Sequence, residues 1–477
     1  MLSFLWSYRT VRFFRVVFVS LPLFWAGCVS SPESQVEALA IEVPSQWVNA
    51  ATGEDFEPQS WMDDFNDPGL EAIIRESLAH NFSLMAAQAR RDAQLAGTAV
   101  GQSEIWPTLG LNAGKNESRR NAATGVQQTP VARTYAVSGR FNWEIDLWGK
   151  LRNGYRGDIA DAEAAAADFE ATRLSIAGRT AQAWYRAIEA QQLVALAERT
   201  LAAFLSNQRI VEEGFERGIG GALEVRLIRA NVAGARSAYE GAERARLAAL
   251  RSLELLLGRY PAAQIELAAG WPDIDASVPA GLPSRLLLRR PDVMSAERSL
   301  AGAQQRKYEA KKAMLPNLQI TLTRGTNATD LADVLDLDSR RVWSRVWSVS
   351  QPLFQGGLLR ANLRRNEALE RQAVADYTQT VLVAFSEVEA SLSEQESFAR
   401  DYEALQVAEV ESVAAEALAW ERYESGLADI TTALDADRRS INAQRALIQI
   451  INQRLQSRIN LYLALGGGLT FDEPVQP

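Results

Sequence analysis

Trp106-Pro-Thr-Leu109 returns as Leu315-Pro-Asn-Leu318, with its proline displaced from 107 to 316, or 209 positions. Asn81-Phe-Ser-Leu-Met-Ala-Ala87 returns as Arg290-Pro-Asp-Val-Met-Ser-Ala296 at the same displacement. Phe215-Glu-Arg-Gly218 returns as Tyr423-Glu-Ser-Gly426, and Leu255-Leu-Leu-Gly258 as Leu463-Ala-Leu-Gly466, each displaced by 208. Four landmarks holding an offset of 208 or 209 identify a tandem duplication, since chance likeness between helical segments would drift out of register.

Within each copy the hydrophobic period changes. From 134 to 147 the odd positions read Tyr135, Val137, Gly139, Phe141, Trp143, Ile145 and Leu147, and the even ones are small, polar or charged. That period of two fits a strand with lipid on one side and water on the other, and equally a strand of a soluble sandwich. Its partner is expected near 108–115, and the second copy repeats the hairpin near 317–326 and 345–351. Trp106, Trp143, Trp148, Trp343 and Trp347 cluster near the strand ends, where amphipathic rings suit a membrane interface. Four strands cannot close a barrel, because membrane barrels need about eight. In lipid, therefore, subunits must pool their strands.

After each hairpin comes a long proline-free stretch rich in good helix formers, 150–213 and 358–423. The first predicts a rod of roughly 95 Å. From Leu427, the residues Ile430, Leu434, Ile441, Ile448, Ile451, Leu455, Tyr462 and Leu465 follow steps of three and four, a coiled-coil seam. The same register lands on Asp437, Gln444 and Arg458, which either set the register or face a water-filled lumen. Gly218, Gly220 and Gly221, matched by Gly426, read as the tips of helical hairpins.

Composition removes other classes of function. The net charge of −9 disfavours nucleic acid. One histidine and one cysteine exclude internal disulfides and Cys/His metal clusters. His80, at a helix end before Asn81, reads as an ordinary surface or capping residue. The chain lacks a phosphate-cradling glycine loop followed by lysine and a promising Ser/His pairing, so no enzyme and no cofactor is expected.

Arg9, Arg12 and Arg15 precede an apolar stretch, 16–26, as in a signal peptide. Trp25-Ala26-Gly27-Cys28 resembles a bacterial lipobox, departing from it at Trp25 where leucine is usual. Cys28 is then the lipidated first residue of the mature chain; the bland alternative is a free structural cysteine. Val29, in place of an aspartate, is compatible with the outer membrane. No mature segment is apolar enough for a transmembrane helix.

Trp61-Met-Asp-Asp-Phe-Asn-Asp-Pro-Gly-Leu70, Arg289-Arg-Pro-Asp-Val293 with Ala296-Glu297, Pro352-Leu-Phe-Gln-Gly-Gly357, and Tyr423-Glu-Ser-Gly426 with Leu434-Asp-Ala436 occur in order within the duplicated frame. In this the chain resembles the TolC-like outer-membrane efflux family, particularly its OprM-like or NodT-type lipoprotein branch. The resemblance implies a mainly α protein with a transmembrane β-barrel. Four strands per protomer are pooled in a homotrimer into twelve, above a long periplasmic coiled-coil tunnel. It implies an adaptor (membrane-fusion) protein and an inner-membrane RND-type transporter as partners, contact with outer-membrane lipid, export of small solutes and no catalysis. It also places a periplasmic gate at Tyr423, Asp429, Thr431 and Asp435. Three copies of Asp435 form a carboxylate ring that favours cations; the structural alternative is a solvated helix acid.

The expected organisation is a signal peptide, 1–27; a tether and equatorial segment, 28–75; repeat 1, 76–268; a connecting segment, 269–284; repeat 2, 285–468; and a tail, 469–477. Two rival functions share these features, an exit duct for type I protein secretion and a lipid-anchored periplasmic coiled-coil scaffold.

Overall fold

The computed structural model describes residues 32–33, 43–48, 61–119, 131–267, 270–272, 283–336 and 338–468. Cys28, the expected lipidation site, lies outside them. In chain order the elements are α1 (Pro68–His80), α2 (Phe82–Ile105), β1 (Thr108–Ser118), β2 (Ala132–Ile145), α3 (Lys150–Glu216) and α4 (Ala222–Leu256). Then come α5 (Pro283–Arg289), α6 (Pro291–Lys312), β3 (Asn317–Ala328), β4 (Arg341–Ser350), α7 (Leu358–Glu424) and α8 (Ile430–Ala464). Helices α3 and α7 both have 67 residues, and α4 and α8 both have 35, each pair displaced by 208. The duplication is thus preserved to the residue along these helices.

The described residues fall in two compact units. One takes those within Met1–Ser34, Ala96–Asp161 and Ala301–Glu370, the other those within Gln35–Leu95, Ala162–Leu300 and Arg371–Pro477. Each unit draws on both copies.

The first unit holds one antiparallel sheet, ordered β1-β2-β3-β4. Directly opposed residues in such a sheet share a face, and the register aligns the period of two across all four strands. Leu109 opposes Phe141, which opposes Leu322; Trp143 opposes Ile320, which opposes Trp347. On the other face Thr108 opposes Asn142, which opposes Thr321, and Asn112 opposes Ser138. One face is mainly apolar and aromatic, with Arg324 and Arg345 entering it opposite Trp343 and Leu322, and the other is mainly small and polar. Backbone approach is tightest at Gly325, where a Cβ would lie 2.1 Å from the Val137 carbonyl oxygen. A short 3-10 turn, Leu331–Leu335, follows β3 and buries Val334, whose carbonyl accepts from the Thr326 hydroxyl. This turn has no period that a sequence reading could detect.

In the second unit, the Trp61 motif enters a core shared with the long helices. Trp61 and Phe65 are fully enclosed and meet edge to face at 5.8 Å, and Phe65 reaches Tyr185 at 5.7 Å. Asp64 accepts from the Tyr462 hydroxyl at 2.5 Å and from buried Arg458 Nε at 2.7 Å. Asp67 caps α1, accepting from Gly69 N and Leu70 N at 2.9 and 3.1 Å, and its other oxygen takes the Trp184 indole N–H at 2.9 Å. Pro68 at the first helical position gives up no needed donor. Arg458 thus serves a protein partner, which settles its role against a lumen-facing one.

The two copies repeat a polar joint. Asn81 Nδ2 donates to the Leu256 carbonyl at 2.8 Å, and Arg290 Nη1 donates to the Ala464 carbonyl at 3.2 Å. In each case a side chain satisfies a carbonyl in the last turn of a long helix, which the helix itself leaves unpaired. The next turn needs a left-handed residue close to backbone. At Gly258 φ is +69° and a Cβ would lie 2.6 Å from the His80 carbonyl oxygen; at Gly466 φ is +71° and the Arg289 carbonyl oxygen would be 3.3 Å away.

Gly258→Ala should therefore lower the unfolding free energy by about 1–2 kcal/mol or more, the left-handed cost plus the backbone clash. Gly214→Ala, where a Cβ meets nothing within 4 Å, should be neutral or stabilise by up to about 1 kcal/mol. Thermal melts compare the two, and equal effects would contradict the joint.

Candidate gate at the helical hairpin tips

Both helical hairpins turn on a left-handed glycine, Gly218 at φ +75° and Gly426 at φ +72°. Around each the carbonyls close in the same pattern: Gly218 N donates to Phe215 O at 3.0 Å, and Gly426 N to Tyr423 O at 2.9 Å. Ile219 N returns to Gly214 O at 3.0 Å and Leu427 N to Arg422 O at 2.8 Å. These are Schellman-type endings, in which glycine avoids the Cβ penalty.

The returning helices then start differently. Gly221 begins α4 with no side-chain cap, whereas Asp429, at the matching position, caps α8 by accepting from Thr432 N at 2.9 Å. The Asp429 carboxylate also takes the Thr431 hydroxyl at 2.6 Å. These donors, Thr431 first, hold its carboxyl below the usual carboxylate range. Asp429 and Thr431 therefore form one capping unit.

Beneath the turns, four helices share a small core: Phe204 and Val211 from α3, Val225, Ile228 and Val232 from α4, Trp420 from α7, Ile430 and Ala433 from α8. Tyr423 joins its edge, ring against Trp420 at 5.6 Å, and its hydroxyl donates to Glu224 on α4 at 2.9 Å. Burial, with Glu224 adding to it, pushes the phenol up to about 12, so it stays a donor at physiological pH. Tyr423 thereby ties α7 to α4.

Asp435 sits one turn into α8 and accepts from Arg439 Nε at 2.8 Å and from Arg438. Arg439 first and Arg438 second lower its carboxyl pKa. Both arginines are more than two-thirds exposed, so the pairing stays labile in water and salt.

The predicted seam is displaced at this end. Leu427 is 71% exposed on the turn, and the buried row is Ile430, Ala433, Asp437 and Ser440 in place of Leu434 and Ile441, which are half-buried. Small residues at 433 and 440 let α8 approach its neighbours closely. Asp437 turns inward, its Oδ1 accepting from Trp420 Nε1 at 2.7 Å. The two readings of the polar seam thus resolve toward protein contact for Asp437, and Gln444 bonds to the Ser440 hydroxyl at 3.0 Å. Sequence placed Asp437 on the seam; its burial depends on helices from distant parts of the chain.

The chain matches the family model described as outer membrane efflux protein at residues 73–259 and 282–467, once in each copy. It is 30% identical over 433 residues to the toluene efflux pump outer membrane protein TtgC of Pseudomonas putida, covering 89% of this chain and 87% of that one. It is 28% identical over 468 residues to the pyoverdine export outer membrane protein OpmQ of Pseudomonas aeruginosa, covering 95% and 97%. The solved outer-membrane channel OprN superposes with a TM-score of 0.83 at 26% identity, over 93% of this chain and all of that one.

Tyr423→Phe keeps the ring contact and removes the hydroxyl bond to Glu224, so the tip should lose about 1 kcal/mol of local stability. Faster amide exchange confined to 416–430 and 222–228 is the expected readout, and unchanged exchange would refute the tie. The twofold match to the family model, the relatives and the shared fold together establish that this chain belongs to the outer membrane efflux protein family, as an outer-membrane channel component of an efflux pump.

Proposed function

We propose that three copies of this chain form a passive exit duct of a tripartite pump, with twelve strands closing one barrel and the helices lining a periplasmic tunnel. The observation that carries this reading is the four-stranded sheet, with a mainly apolar face, a mainly polar face and, among the described residues, two edges without a strand partner. Closing it with other copies satisfies the edge amides and puts the polar face around water. The duct meets an adaptor protein and an inner-membrane RND-type transporter, carries small solutes and catalyses no reaction. Relatives named for toluene efflux and pyoverdine export favour solutes over secreted proteins. Cys28 carries the lipid that tethers the chain to the outer membrane.

The gate is the tip of the second copy, where Tyr423 ties two helices, Asp429 with Thr431 caps α8, and Asp435 supplies a carboxylate. Around a threefold axis the Asp435 side chains form a ring of carboxylates, each paired with Arg438 and Arg439 of its own chain. The first copy has none of these acids at the matching positions: Gly221 stands opposite Asp429, and Leu227 opposite Asp435.

Purified protein in planar bilayers should conduct, with cations preferred. Asp435→Asn removes the carboxylate and leaves Arg438 and Arg439 without their acid partner, so the reversal potential should move toward anions while conductance is kept or raised. Absence of any channel activity in the wild type would sink the duct. In cells, Cys28→Ser should abolish incorporation of labelled palmitate, and retained label would refute lipidation at this residue. A deletion strain should become sensitive to toxic solutes while its secreted proteins are unchanged; the reverse pattern would favour type I secretion.

A further inference from the structure

Asp437 is 3% exposed, and only one of its two carboxylate oxygens is used. Oδ1 accepts from the Trp420 indole, whereas Oδ2 is buried with no hydrogen-bond partner among the described residues. An ionised carboxylate in that position loses water without replacement, which is among the costliest things a core can contain. The protonated acid is accommodated far more easily, because the proton removes the charge.

Beside it lies a cavity of about 200 Å³, lined by Arg199, Thr200 and Phe204 of α3, Glu416 of α7, and Ile441 and Gln444 of α8. From α7, Glu416 adds a negative charge that resists a second one on Asp437. From α3, Arg199 lines the cavity but does not reach Oδ2. The residues of α4 in the same core, Val225, Ile228 and Val232, are apolar. On α8 itself, Asp435, Arg438 and Arg439 pair with one another at the exposed surface. Among the described residues no cation neutralises Asp437, and the cavity has room for the water that its charge would demand.

We propose that Asp437 is a proton latch for the helical tip: protonated, it seats α8 against α3 and α7, and on ionisation it draws water into the cavity and loosens that seam. The proton leaves Oδ2 for solvent through the cavity, and no other bond changes. The packing part of the inference stands on the buried oxygen and the cavity; its role in opening the duct rests on the gate reading above.

The direction with pH follows from the environment. Burial first, with the Glu416 charge adding and the Trp420 bond opposing, moves the carboxyl from 3.8 to about 6. A raised native value means that the stability contributed by the bound proton is complete below the unfolded value and is lost as pH rises through about 6. If opening restores ordinary hydration, the closed-to-open ratio should change by up to about a hundredfold between acid and neutral pH, the ratio of the two proton affinities.

The test uses full-length trimers in bilayers and detergent across about pH 5 to 7.5, comparing wild type, Asp437→Asn and Glu416→Gln. The wild type should melt higher and conduct less as pH falls, the change setting in near 6 and still growing at the acid end of the range. Asp437→Asn keeps an acceptor for Trp420 and cannot ionise, so it should melt like the acid wild type and conduct at the low level at every pH. Glu416→Gln removes the neighbouring charge and should move that onset to lower pH without abolishing the effect, a shift that a merely structural residue would not produce. The latch is overturned if Asp437→Asn keeps the wild-type pH dependence, if it is less stable at every pH, or if both conduct independently of pH. Should melting follow the carboxyl while no variant conducts, the duct reading fails and the latch stands as a packing switch.

Discussion

An unpaired strand edge cannot be left in hydrocarbon. Within the sheet every interior strand is bonded on both sides, while among the described residues β1 and β4 each present one open row of backbone donors and acceptors. In water those rows are solvated; in lipid each open group costs several kcal/mol. Four strands are too few to close on themselves, so the chain depends on copies of itself to meet the constraint. The apolar and polar faces aligned across the register say which side then meets lipid and which meets water.

Duplication makes that solution available, because the same hairpin and the same long helices appear twice at one offset. It also fixes the joints. Asn81 and Arg290 are chemically unlike, yet each donates to the last-turn carbonyl of its long helix, and each is followed by a turn in which a glycine backs onto backbone. The joint geometry is kept while its chemistry varies, since only a donor is required there. At the hairpin tips the copies part. Glycine starts one returning helix and aspartate the other, and the acids Asp435 and Asp437 belong to the second copy alone. Architecture needs what is repeated, whereas control of passage is free to use what is not.

Much of this was legible beforehand, for a physical reason: strands and helices write their periods into sequence. The expected helices at 150–213 and 358–423 are α3 and α7 to within a few residues, β2 falls where the period of two puts it, and β1, β3 and β4 overlap the spans expected from pairing and repetition, β4 starting at Arg341 rather than near 345. Gly218 and Gly426 marked the turns because little else tolerates their backbone angles. The Trp61 motif, by contrast, was visible only as a resemblance, because its work is done with Tyr185, Arg458 and Tyr462, remote in the chain. The seam of α8 was read from its large residues, but the deepest positions near the tip are Ala433 and Ser440, small because the helices are close. Asp437 could not be told from a lumen-facing acid by periodicity, since both occupy the same register.

The most direct test of the central claim is covalent capture across the open edges. Cysteine pairs scanned along β1 and β4 should, on oxidation in membranes, give a ladder on denaturing gels that ends at three chains, with closed trimers as the limit product. Cross-links confined to single chains, or a ladder running past three, would contradict the pooled barrel.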